Sequence, residues 1–149
     1  MTKQLLVLAL PLALVSSLSA SPQEFAKTMW DGVFTSADAV RGQSDYLQMC
    51  GSCHGADLKG GKGGAPALTG SAFFERWRNL SVFDLYFAAE GTMGEASNPL
   101  VFDFRYMPPE LVRDIVSYIL EVNGAPAGEE LPTDFDRLRQ IQISPKAGQ

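Results

Sequence analysis

Residues 48–60 read QMCGSCHGADLKG, and Cys50, Cys53 and His54 place both cysteines and the only histidine of the chain within five consecutive positions. A disulfide is the plainest reading of two cysteines in an exported chain, but it leaves His54 without a role. A thioredoxin-like redox pair calls for a strand before the CxxC and a βαβ context, whereas helical spacing leads into Cys50 and no parallel strands follow. Structural zinc normally takes four N or S ligands, and these three residues are all the Cys and His the chain has.

The rest of the chain narrows the choice. With 149 residues it is most simply one domain, large enough to bury a core without staples. Lys3 is the only charge before Glu24, the apolar run LLVLALPLALV covers 5–15, and the small residues SSLSAS follow at 16–21. That order is a secretory signal peptide, too short and too interrupted for a membrane span. Residues 1–20 are therefore expected to be removed on export to the periplasm, leaving no stable membrane insertion. Their loss takes away one basic residue of 12 and none of the 17 acidic ones. An acidic domain without a basic cluster is a poor nucleic-acid binder and favours partners with a positive face.

Hydrophobic spacing predicts helices and no confident strand. A first helix is capped by Thr35 or Ser36, carries Asp38 in its opening turn, and runs through Ala39, Gly42, Tyr46 and Met49 into the cysteine motif. A short helix is expected over 71–77. Another opens with the Ser81/Asp84 capping-box pattern and stops at Gly91. The clearest starts at Pro108 or Pro109, lines one face with Leu111, Ile115, Tyr118, Ile119 and Val122, and ends at Asn123-Gly124. A last turn falls within 133–140. KGGKGG at 59–64 lacks the spacing of a phosphate loop and reads as a flexible surface loop. The expected fold is all-α with long loops, a domain over 25–124 and a C-terminal extension over 125–149 that packs on the domain or trails from it.

Cys-Gly-Ser-Cys-His has the spacing of a c-type haem attachment site. Cysteines three apart share one face of a helical turn, where each thiol can add to a haem vinyl group. The next residue, His54, is then carried beneath the porphyrin, where its imidazole can reach the iron. A helix leading into the motif, an export signal and the lack of a competing histidine all favour this reading over the other three.

The chain resembles class I cytochromes c, most closely the single-haem domains that accompany bacterial quinoprotein and related periplasmic dehydrogenases. The resemblance runs from WDGVFTSADAVRGQSDYLQMCGSCHGADLKGG through APALTGSAFFERW and LSVFDLYFAAEGTM to DIVSYILEVNGAPAGEELPTDFDRLRQIQI. It implies an all-α class I fold around one covalent haem c, with His54 as proximal iron ligand and the Pro66 carbonyl orienting its imidazole. It also implies a close crossing of the first and last helices at Gly42, Tyr46 and Tyr118 and a haem pocket containing Leu68 and Phe73, with Trp77 either donating to a haem propionate or only packing there. For the sixth ligand, Met93 matches the position of the family's methionine and is preferred over Met107, which leads directly into the last helix; Met29 and Met49 precede the haem.

The implied function is one-electron transfer through an Fe(III)/Fe(II) couple between redox partner proteins, a dehydrogenase as donor and an oxidase or another cytochrome as acceptor. No catalytic residue is implied, so the expectation is a carrier and not an enzyme. Two alternatives stand beside it: a five-coordinate haem protein that binds a gas or peroxide, and a cytochrome subunit held permanently by a dehydrogenase.

Overall fold

In the computed structural model, which describes residues 24–61, 64–92 and 107–147, the chain is built from six helices and one two-residue parallel ladder among the described residues. Helix α1 spans Ser36–Met49. Its N-cap is Thr35, whose hydroxyl accepts from the Asp38 amide at 3.2 Å while the Asp38 carboxylate accepts from the Thr35 amide at 3.1 Å. This reciprocal arrangement satisfies two amides that the first turn leaves without partners. The helix ends at Cys50, and a single further turn, α2, covers Gly51–His54. Helix α3 spans Gly70–Trp77, starting one residue before the sequence expectation.

Ser81 and Asp84 form the second capping box, opening α4 at Val82–Phe87. The helical path then widens into a π-helical turn over Ala88–Thr92. Helix α5 spans Pro109–Val122 with proline at its first position, and α6 is one turn, Phe135–Leu138, capped by the Asp134 side chain. The ladder was not foreseen: β1, Lys27–Thr28, pairs in parallel with β2, Ile141–Gln142. Two residues per strand are too few to show a period-two pattern, so no sequence signal existed for it. Among the described residues no helix is long and apolar enough to cross a membrane.

The α1–α5 contact dominates the packing. A Cβ at Gly42 would overlap the carbonyl oxygen of Asp114, so glycine is what lets the two backbones touch. Beside this point the Tyr46 and Tyr118 rings meet at a centroid distance of 5.6 Å and a tilt of 56°. Helix α5 is buried without a break from Asp114 to Leu120, instead of on one stripe, while Val122 is 39% exposed. The expectation of a single apolar face therefore needs correction: α5 packs against α1, α4 and the π-helical turn, and Arg113 reaches Glu130 in the segment that follows it.

Full burial brings Asp114 into the interior, and it is not alone. Arg41 donates through Nε to Asp114 at 2.6 Å and through a terminal nitrogen to Asp38. Arg113 donates to Asp114 at 3.0 Å and to Glu130 at 2.6 Å. Burial by itself would raise the Asp38 carboxyl, but hydrogen bonds from Thr35 and Arg41 and the charge of Arg113 outweigh it and hold the group below its ordinary value.

Two outcomes follow from this packing. Gly42→Val should destabilise the protein by about 3 kcal/mol or more in urea unfolding, because the crossing itself must open. Asp38 titrates lower when folded than when unfolded, so its contribution is present above about pH 4 and is lost as the pH falls through its folded value. Asp38→Asn should cost about 1 kcal/mol at pH 7, where the half-exposed Arg41 limits the effect. The difference from the parent should shrink at pH 3, as unfolding curves at the two pH values would show.

Candidate functional site

The cysteine motif hangs from the C-terminal end of α1. Tyr46 holds it at both ends: the Tyr46 carbonyl accepts from the Cys50 amide at 2.8 Å, and its hydroxyl donates to the carbonyl of Gly55, just after His54, at 2.8 Å. The phenol is fully buried and titrates well above its ordinary value, chiefly because of that burial. The hydroxyl therefore remains a donor at any physiological pH.

Cys50 is half-buried and Cys53 exposed, and the two are not bonded to each other. Burial pushes the Cys50 thiol up to about 11. His54 is buried at 6% exposure, and its Nδ1 lies 2.8 Å from the Pro66 carbonyl oxygen. A carbonyl can only accept, so Nδ1 carries the proton and Nε2 is the nitrogen left for a ligand. Such a bond fixes the ring and raises its basicity.

The loop that brings Pro66 under His54 depends on glycines. The Gly60 amide donates to the His54 carbonyl at 2.9 Å, and Gly60 has φ +86°, a conformation that favours glycine. A Cβ at Gly61 would overlap the Cys53 carbonyl oxygen. Gly60 and Gly61 thus back the motif, and the reading of 59–64 as a flexible surface loop does not hold for them. At the far end of the loop, Leu68 donates to Leu58 at 2.7 Å, and the Asn123 amide at the end of α5 donates to the Leu68 carbonyl at 2.9 Å.

Leu68, Phe73 and Trp77 belong to one buried apolar cluster with Tyr46 and Ile115. Within it the Trp77 indole nitrogen is buried and has no hydrogen-bond partner among the described residues. Met107 lies in the same cluster at 6% exposure, two residues before α5. Met93 lies outside the described residues. Among the described residues no cluster of three or more His, Cys, Asp or Glu side chains could hold a metal ion.

A family model for cytochrome c matches residues 39–123, more than half of the chain. The chain belongs to the cytochrome c family. No curated protein and no solved structure matches it. Membership brings covalently bound haem c, haem-based electron transfer to partner proteins and the all-α class I fold described above.

The residues present fit that group. Two unpaired cysteines share one helical turn, the imidazole beside them has Nδ1 satisfied and Nε2 left for a ligand, and a buried indole N–H lacks the acceptor that a haem carboxylate would supply. A buried donor left without a partner is costly, on the order of 1–3 kcal/mol, so an acceptor brought by a bound group would stabilise it.

Sequence reasoning had no signal for the Tyr46 hydroxyl or for the charge network, because both depend on which carbonyl or carboxylate the fold brings within reach. Gly61→Ala in the haem-loaded cytochrome should cost about 2 kcal/mol in stability by forcing the loop off Cys53. Gly51→Ala, where a Cβ meets nothing closer than 3.6 Å, should stay within about 0.5 kcal/mol of the parent. Paired denaturation curves check the contrast.

Proposed function

We propose that this cytochrome is a periplasmic one-electron carrier with a single haem held by Cys50, Cys53 and His54, and that it has no enzymatic activity of its own. The observation that carries the reading is His54: buried, adjacent to both thiols, and locked through Nδ1 onto the Pro66 carbonyl. Haem supplies the Fe(III)/Fe(II) couple. Cys50 and Cys53 would tether the group and His54 would present Nε2 to the iron, its imidazole held in one orientation by the Pro66 carbonyl. Trp77 would give its indole N–H to a propionate. The apolar cluster around Leu68 and Phe73 excludes water, which keeps the reorganisation on electron transfer small.

The motif reaches solvent at Cys53, and Leu47 beside it on α1 is 47% exposed. An edge of this kind suits brief docking of small area, with a periplasmic dehydrogenase as donor and an oxidase or another cytochrome as acceptor. The acidic composition favours partners with a positive docking face.

Met93 is the proposed sixth ligand, and Met107, buried two residues before α5, is assigned a packing role. A thioether opposite the imidazole favours ferrous iron and raises the potential. Met93→Ala should lower the reduction potential, abolish the weak far-red sulfur-to-iron band of the oxidised protein and admit carbon monoxide to the ferrous form. Met107→Ala should leave the spectrum unchanged and lower stability by about 2–3 kcal/mol. The reverse pattern would assign Met107 to the iron, and rapid carbon monoxide binding by the unmodified protein would mean a five-coordinate haem.

A further inference from the structure

From Gly124 the chain returns across the molecule, beyond residues 39–123 that the family model matches. Leu131, Leu138, Ile141 and Ile143 along this strap are all buried in the common core. Residues 141–144 lie between two other segments. On one side, the Met29 amide donates to Gln142 at 2.8 Å and the Trp30 indole to the Ser144 carbonyl at 2.9 Å. On the other, the Ile143 amide donates to Leu80 at 2.8 Å, the Ile143 carbonyl accepts from Asn79 at 2.9 Å, and Gln142 bridges antiparallel to Ser81.

Asn79 and Leu80 form the turn that leaves α3 immediately after Trp77. The Leu80 amide donates back to the Trp77 carbonyl at 3.0 Å, and Asn79 takes φ +66°, a left-handed conformation that asparagine tolerates better than most residues. The turn has a strained residue at its centre and the strap on its outer side. Trp77 Nε1, a buried donor without a partner among the described residues, sits at its start.

We infer that the C-terminal strap is a positioning element for the cofactor: Ile143, by fixing the 78–81 turn, sets where Trp77 Nε1 stands and hence how readily the haem carboxylate it serves ionises. The inference rests on the assignment of Trp77 to a propionate. A hydrogen bond donated to a carboxylate favours its ionised form and lowers its pKa. An ionised carboxylate near the iron favours the ferric state, so the potential falls as the pH rises through that pKa. Loosening the donor moves this fall to higher pH. The charged groups around the turn are Glu75, Arg76 and Arg78 on and after α3, with Arg76 5.4 Å above the Trp77 ring, Asp84 held by Ser81 at the start of α4, and Lys146 over Trp30 on the strap.

The test is the reduction potential of the haem-loaded protein measured from about pH 5 to 9 for four variants. Ile143→Ala should raise the midpoint of the pH-dependent fall by about one unit, and Ile143→Val should raise it by less, which keeps the test open if the alanine variant does not fold. Leu138→Ala empties an equally buried site on the same strap, leaves the charged groups in place and has its backbone bonds within α6. It should lower stability to a similar degree while leaving the midpoint where it was. Trp77→Phe should raise the midpoint at least as far as Ile143→Ala. If Trp77→Phe moves the midpoint but the Ile143 variants do not, or if Leu138→Ala moves it equally, the strap has no positioning role. If Trp77→Phe has no effect, the propionate assignment itself is wrong and the inference falls with it.

Discussion

The direct contact of α1 with α5 at Gly42 is the constraint on which the rest of the structure depends. It brings two helix ends to bear on one loop. The end of α1 carries Cys50 to His54, and the end of α5 carries Asn123, which holds the Leu68 carbonyl. Between them, residues 55–68 are drawn tight enough for the Pro66 carbonyl to meet the His54 ring. Residues well separated in sequence are thus set by a single backbone contact, and the histidine inherits its orientation from helix packing as much as from its immediate neighbours.

Around that crossing the polar groups fall into two kinds. At its N-terminal side the buried carboxylates of Asp38 and Asp114 are enclosed by Arg41, Arg113 and Thr35, so the interior charge is matched before any cofactor is considered. At the other side the matching is incomplete. His54 is satisfied at Nδ1 and Trp77 is unsatisfied at Nε1. The first arrangement closes the fold, and the second leaves an imidazole nitrogen and an indole N–H able to serve a bound group.

Much of this could be read from the sequence because it is local. The capping boxes at Thr35/Asp38 and Ser81/Asp84, the proline that opens α5 and the Asn-Gly that closes it each depend on neighbours within four residues. The cysteine motif is likewise a local pattern with a strong chemical reason behind it. Pro66 was reached only through family resemblance, since nothing in GAPALTG says which carbonyl will lie under a ring twelve residues away. Gly60 and Gly61 were misread because a glycine that makes room for a packed backbone looks the same in sequence as one that loosens a loop. The β1–β2 ladder and the buried Asp114 were out of reach, because each depends on a partner more than seventy residues distant, and the contacts of the strap with the 79–81 turn likewise span more than sixty.

The ladder has one more property. Its strands come from opposite ends of the described chain and run in the same direction, with Ala26, Lys27 and Met29 donating to Gln140 and Gln142. Pulling the two ends apart would therefore slide β1 and β2 past each other along their length, loading their hydrogen bonds together instead of peeling them one by one. For a domain tethered at either end this is shear, the mechanically stronger of the two geometries. Tension along the chain would meet its first resistance at the strap that also holds the turn beside Trp77.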